Sequence, residues 1–361
     1  MKRLFSTSFA GIYILVFAVS IGVATFIEND FGTSSAMKLV FKARWFEVLL
    51  TLFSITLIVN VVKYKMIAQK RWPLVIFHLS MVMILVGSGI TRYFSYEGTM
   101  HIREGESSNT ILSRDTYLNF QASSNGNMYE FSEPVLFSSI GSNAFNEMYN
   151  VAGRAIRVEV QDILPNPTNI LAQSSSGSPI LKIVYGGSGS RQEFYIAEGE
   201  RRTLFGLNFD FSQSLEDSSA VDFTDTPTDV NIYFSEGELF FKSRSNLSEM
   251  VMLTQTQTTL SATQVYPLKL RSLYDNGDKG FVFGDFLPSG ELKMISTGRK
   301  LENSSTIGVS LKVTIDEVEF ERYIFGRNGG EGHAEVFNVE GLDFSASFGS
   351  KRIQLPFSVY L

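Results

Sequence analysis

Three uninterrupted apolar runs open the chain, and a different period follows them. The first, Phe9 to Ile27, has nineteen residues and no charge. At about 1.5 Å per helical residue it is long enough to cross a hydrocarbon core of roughly 30 Å. It is also longer than the roughly 7–15 apolar residues of a signal peptide, and no small-x-small cleavage site precedes Glu28, so it reads as a retained helix. The second run, Phe46 to Val62, is interrupted only by Glu47. The third, Pro73 to Thr91, opens on a proline suited to the first turn of a helix. The pattern predicts spanning helices over about 9–27, 46–62 and 73–93, within a transmembrane region 1–94.

From Ser95 the period drops to two. Ile156 to Val160 alternates, as does Ile307 to Ile315 through Val309, Leu311 and Val313. Turn signals at Asn125-Gly126, Gly186 to Ser190 and Asn276-Gly277 separate such runs. Two hairpins are expected, one from Asn231 to Lys242 around Glu236-Gly237, the other from Phe281 to Ile295 around Pro288 to Gly290. No stretch past residue 100 keeps a helical period. The expected fold class is a membrane protein with three N-terminal transmembrane α-helices. They are followed by a large all-β domain over 95–361, an antiparallel sandwich or open barrel, with room for two sub-lobes. Ile353, Leu355, Phe357, Val359 and Leu361 alternate up to the last residue. A strand stopping at full stride raises the expectation that the domain is truncated there.

Charge sets the expected orientation. Lys2 and Arg3 precede the first run, and Lys63, Lys65, Lys70 and Arg71 fill the link between the second and third. Basic flanks of this kind face the cytoplasm, which places the β domain on the extracytoplasmic side of the membrane. The only two tryptophans, Trp45 and Trp72, stand at the mouths of the second and third runs, where an aromatic belt meets the headgroups of the lipid bilayer. A net charge of -6 and the lack of a basic stripe give no reason to expect nucleic acid. With no cysteine, the chain holds no disulfide, thiolate metal site or CxxCH haem-attachment site of its own.

Chemistry concentrates on one of three histidines. His78 lies inside the third run, seven residues past Arg71 and so roughly 10 Å into the membrane. An ionisable side chain at that depth is costly unless it is used or paired. It can ligate haem iron or another metal, relay protons, or simply bond a neighbouring helix, for instance through Asn60. His101 follows the third helix and cannot reach His78, because the residues between them span roughly 24 Å. His333, in Gly329-Gly-Glu-Gly-His333, reads as part of a flexible loop. The chain has no P-loop, HExxH or G-x-S-x-G signature, and its carboxylates nominate no catalytic pair.

Several short motifs occur in a familiar order: Ala24-Thr-Phe-Ile-Glu-Asn-Asp-Phe-Gly-Thr33, Trp45-Phe-Glu47, Phe77-His-Leu79 and Gly98-Thr-Met-His-Ile-Arg-Glu-Gly105. Together they resemble the ResB/CcsB family of system II cytochrome c biogenesis proteins, most closely the fused CcsBA-type form of Bacteroidetes-like bacteria. The resemblance covers the helices, their loops and the start of the β domain, and is only architectural beyond that. It implies a CcsB-like half of a haem export and cytochrome c haem-ligation complex, acting with a CcsA-type half and apocytochrome c. It further implies haem b shared between the halves, with His78 as one axial ligand, and a cytochrome c synthase of which this chain alone is not the catalyst. The family's CcsB half crosses the membrane again after its outer domain, which this chain does not do, and its tryptophan-rich haem-binding loop belongs to the other half. The competing readings are a membrane-anchored β-domain scaffold or binding module without haem, and a sensor or transporter subunit using His78 as a proton relay.

Overall fold

The computed structural model describes residues 5–124, 126–187, 190–212, 215, 227–302, 304–339 and 341–361. Lys2, Arg3, Asn125 and the Ser188-Gly189 centre of one expected turn lie outside the described residues. The chain divides into two compact units, one formed by residues up to 168 together with 296–361, the other by Asn169–Ile295.

Three helices in the first unit are long and apolar enough to cross a membrane: α1 (Thr7–Phe31), α3 (Arg44–Lys63) and α4 (Trp72–Phe94). Each outruns its predicted apolar stretch by a few residues, because polar end residues keep the helical hydrogen bonds going past the hydrophobic boundary. The buried side chains of α1 are Ala10, Tyr13, Ser20 and Ala24, and those of α3 are Phe46, Leu49, Phe53, Thr56, Leu57 and Asn60. Steps of three and four residues put each set on one stripe of its helix. Two hydroxyls in these stripes are satisfied within their own helices: Ser20 Oγ donates to Val16 O at 2.6 Å and Thr56 Oγ1 to Leu52 O at 2.7 Å. Most of the remaining side chains of α1 and α3 face outward, as lipid-facing positions do.

The connection between α1 and α3 is not a plain loop. Gly32 ends α1 at φ +89, and then a single turn, α2 (Thr33–Ala36), leads into a π-helix at Met37–Phe41. This connection docks on the β part of the first unit. Leu301 N–H donates to Phe31 O at 3.2 Å, Asn328 Nδ2 to Ser34 Oγ at 2.7 Å, and Lys38 Nζ to Asn143 Oδ1 at 2.6 Å. Lys42 pairs with Asp115 at 2.9 Å. A Cβ on Gly32 would fall 2.0 Å from Leu301 O, so only glycine allows this approach. At the opposite ends of the helices, Thr7 Oγ1 and Tyr64 OH are hydrogen-bonded at 2.9 Å. The start of α1 and the 64–71 link therefore share one end, and the β part sits at the other.

Among the described residues every element after Phe94 is a strand. In the first unit these are β1 (Gly98–Thr99), β2 (Ser107–Ser124), β3 (Asn127–Val135), β4 (Phe145–Val151) and β5 (Arg154–Pro165). The second unit begins on β6 (Pro167–Gly187) and continues through β7 (Ser190–Ala197), β8 (Arg201–Leu204), β9 (Leu207–Asp210), β10 (Val230–Ser235) and β11 (Glu238–Ser243). It closes with β12 (Leu247–Val251), β13 (Thr256–Leu260), β14 (Val265–Pro267), β15 (Ser272–Asp275) and β16 (Gly280–Ser296). The chain then returns to the first unit with β17 (Thr306–Ile315), β18 (Val318–Arg327), β19 (Glu335–Val339) and β20 (Leu342–Tyr360).

Each unit packs two sheets face to face. In the first, a sheet ordered β1-β2-β20-β19, with β3 on β2, meets one ordered β18-β17-β5-β4. Leu118, Phe120 and Phe348 from one sheet share a core with Val158, Val309 and Leu311 from the other. In the second unit, β14-β11-β10-β9-β8 meets β13-β12-β15-β16-β6-β7 around Phe209, Phe241, Ile183 and Phe283. Both are β-sandwiches. Pairing is antiparallel throughout the described registers apart from the parallel contact of β9 with β10.

The first expected hairpin is present, with Ser235 opposite Glu238 and both turn residues, Glu236 and Gly237, at positive φ. The second is not. Residues 280–296 run as one strand, β16, beside β6. Pro288 and Gly290 do not turn the chain. Gly177 of β6 instead lets the two strands approach there, since a Cβ on it would lie 2.3 Å from Gly290 O. The glycine run before His333 also serves close approach: Ser350 N–H donates to Gly330 O at 2.8 Å, and a Cβ on Gly332 would lie 2.5 Å from Phe348 O.

Candidate functional site

No residue of α4 is fully buried. Val75, His78, Met81, Val82, Leu85, Gly89 and Arg92 are its partly covered positions, and steps of three and four place them on one stripe. Val82 and Leu85 pack against the core that includes Phe53 and Leu57 of α3. His78 continues the same stripe one turn before Val82, so its ring lies along the α3-facing side of α4, partly covered and partly open.

Local geometry fixes the state of that ring. His78 Nδ1 lies 2.8 Å from Leu74 O, the carbonyl one turn back on its own helix. A carbonyl oxygen can only accept, so Nδ1 carries a proton. In the neutral tautomer Nε2 carries a free lone pair, and it has no hydrogen-bond partner among the described residues. Phe77 stands edge-on to the ring, with centroids 5.7 Å apart at 81°.

Asn60 is not the partner of His78. It is buried on α3 at 4% exposure, and its Oδ1 has no hydrogen-bond partner. The expectation failed because it weighed only depth along two helices. A short side-chain donor on a helix can turn toward the carbonyl four residues back, and His78 does so. His101 and His333 are both exposed in loops beyond α4. Among the described residues no cluster of histidine and carboxylate side chains could hold a metal ion.

At the β-side end of the membrane unit is a polar clamp not read from the sequence. Arg92 donates from Nη1 to Phe41 O and from Nη2 to Lys42 O, each at 2.8 Å. These are carbonyls at the end of the π-helix, where helical partners run out. Arg92 also lies 3.5 Å from Glu47 Oε2, and Tyr93 OH donates to the same carboxylate. α4 therefore carries the imidazole near one end and, near the other, the guanidinium that fastens it to the docked connection.

The helix bearing both groups falls inside a recognised sequence family. A model of the ResB-like family matches residues 68–150, which hold α4, β1, β2, β3 and most of β4. Over these residues the chain is similar to the ResB-like family. The chain is also similar to Protein NrfI of Wolinella succinogenes, at 46% identity over 104 residues. That stretch is 29% of this chain and 11% of NrfI, so the chain spans about a tenth of the relative it matches. The ResB-like segment thus contains His78, Arg92 and Asp115, the last being the anchor of Lys42, while the second sandwich lies wholly outside it.

Proposed function

We propose that this chain works in cytochrome c biogenesis as the CcsB-like half of a haem export and ligation complex, with His78 supplying one axial ligand to haem b. The observation that carries the reading is the free Nε2 of His78: an imidazole anchored through Nδ1 and open on one side within a spanning helix. The ResB-like match over the same helix supports it. The residues present fit half of a bis-imidazole site. His78 is the one histidine on a described spanning helix, so the second ligand would come from a CcsA-type partner half. When bound, haem would supply the iron centre and vinyl groups that are joined to apocytochrome c. What the chain's own residues do is hold the imidazole in its ligating tautomer and at a fixed depth. The basic ends of α1 and of the 64–71 link would face the cytoplasm, placing both sandwiches on the periplasmic side of the inner membrane.

The test is His78→Ala in the intact assembly with its CcsA-type half. The imidazole bonds only its own helix and is half exposed, so α4 should still insert and the assembly should still purify. Haem content by pyridine haemochrome should fall by about tenfold or more, since losing a ligand costs at least as much as losing a group that supports one, and added imidazole should restore part of the absorption band. Unchanged haem content and spectrum would show that His78 only packs.

A further inference from the structure

The end of the helices away from the β part carries a cluster of cations with no counter-charge. Lys63, Lys65, Lys70 and Arg71 are all exposed, and none has a carboxylate partner among the described residues. No acidic residue occurs between Glu47 and Glu97, and on α1 the first is Glu28, at the far end of that helix. Lys2 and Arg3 precede α1 in the sequence, and Thr7 at its start is hydrogen-bonded to Tyr64.

The link that presents these cations has a defined form. Met66 is buried at 8% exposure, its N–H donating to Val61 O at 3.1 Å and its carbonyl accepting from Arg71 N–H at 2.9 Å. Lys65 and Lys70, on either side, take left-handed φ of 48° and 53°. Met66 thus pins the link inward while Lys65, Lys70 and Arg71 project outward. Three large apolar side chains stand among them: Tyr64 at 42% exposure, Ile67 at 56% and Trp72 at 54%. Cations interleaved with aromatic and aliphatic groups at the mouth of spanning helices match a surface whose outer layer is anionic and whose next layer is hydrocarbon.

We propose that the Lys63–Arg71 link is a binding surface for anionic phospholipid, its cations contacting headgroup phosphates while Tyr64, Ile67 and Trp72 enter the interface. The proposal does not rest on haem ligation at His78. A soluble polyanion would meet the same charges but would leave the three apolar side chains in water, which favours the lipid.

Trp72 reports on this surface because the chain's only other tryptophan, Trp45, lies at the opposite end of the helices. Trp45→Phe protein is placed in nanodiscs of phosphatidylcholine with a minority of phosphatidylglycerol, with bromine on the acyl chains of one lipid class at a time. If the surface gathers anionic lipid, brominated phosphatidylglycerol should quench Trp72 about threefold or more beyond its bulk share. The excess should vanish at 1 M salt, where the Debye length is about 3 Å. It should also vanish with Lys65→Gln, Lys70→Gln and Arg71→Gln combined, and be absent when Trp45 is the reporter in a Trp72→Phe protein. Quenching in proportion to bulk composition at low salt would overturn the proposal. So would an excess that survives 1 M salt, which marks an apolar annulus, or one abolished by glycerol phosphate at constant ionic strength, which marks a free-phosphate site. If the combined variant fails to insert, the salt series on otherwise native protein still decides.

Discussion

Tyr233 and Tyr274 are both fully buried in the second sandwich, and they differ in what their hydroxyls meet. Tyr274 OH donates to Glu249 Oε1 at 3.0 Å and accepts from Lys269 N–H at 3.0 Å. Tyr233 OH has no hydrogen-bond partner. A buried hydroxyl without a partner has lost its water for nothing, so Tyr233→Phe should leave stability unchanged or raise it by up to about 1 kcal/mol. Tyr274→Phe removes a donor from Glu249, a carboxylate only 2% exposed, and should cost about 1–3 kcal/mol. Thermal unfolding of the full chain in nanodiscs checks the contrast, and equal losses for the two variants would contradict it. Legibility at this scale follows the same division. His78 stands out in the sequence because an ionisable residue inside an apolar run violates the pattern around it. Its tautomer does not, because that depends on which carbonyl the ring turns toward. The sequence marks which residue is unusual; only geometry shows whether a partner satisfies it.

At the scale of elements, the spanning helices were legible and their connection was not. Apolar runs of spanning length have few alternatives in lipid, since each backbone group must find its partner within the segment. The stretch between α1 and α3 is short, mixed in polarity and shaped by what it docks on, so periodicity says nothing of its π-helix. The expected turn at Pro288 to Gly290 failed for a related reason: local turn chemistry yielded to the close approach of a neighbouring strand. Arg92 holds the connection where it is. Replacing it by Ala would leave the Phe41 and Lys42 carbonyls without their donors and Glu47 without its cation. Partial exposure moderates the cost, which should be about 2 kcal/mol. Arg92→Lys should recover only a part, because an ammonium cannot direct two parallel N–H groups at adjacent carbonyls as a guanidinium does. Thermal unfolding of the two variants in nanodiscs tests this, and full recovery by lysine would show that charge alone matters.

At the scale of the whole chain, alternation and turn residues made an all-β region of sandwich type legible and left room for two lobes, but not that one lies within the chain of the other. Insertion of one into the other is a matter of long-range pairing: β5 pairs with β17 across the entire second unit, and no local signal marks that. Both sandwiches nevertheless have one property in common, tyrosines whose ionisation is opposed by burial. Burial first, and then nearby carboxylates, pushes the hydroxyls of Tyr149 in the first sandwich and of Tyr233 and Tyr274 in the second upward, Tyr233 to about 12. In the unfolded chain the same groups titrate near their ordinary value of about 10. Between about pH 10 and 12 the unfolded state therefore loses protons that the folded state keeps, and each rise in pH favours unfolding. Below about pH 10 both states are protonated and these groups impose no slope. Stability should thus be flat with respect to the tyrosines up to about pH 10 and fall steeply above it, by up to about 3 kcal/mol for Tyr233 alone. Following thermal unfolding against pH by near-ultraviolet circular dichroism, with a Tyr233→Phe protein alongside, resolves that contribution. The variant's decline above about pH 10 should be shallower than that of the native chain, and identical slopes would place the alkaline loss elsewhere.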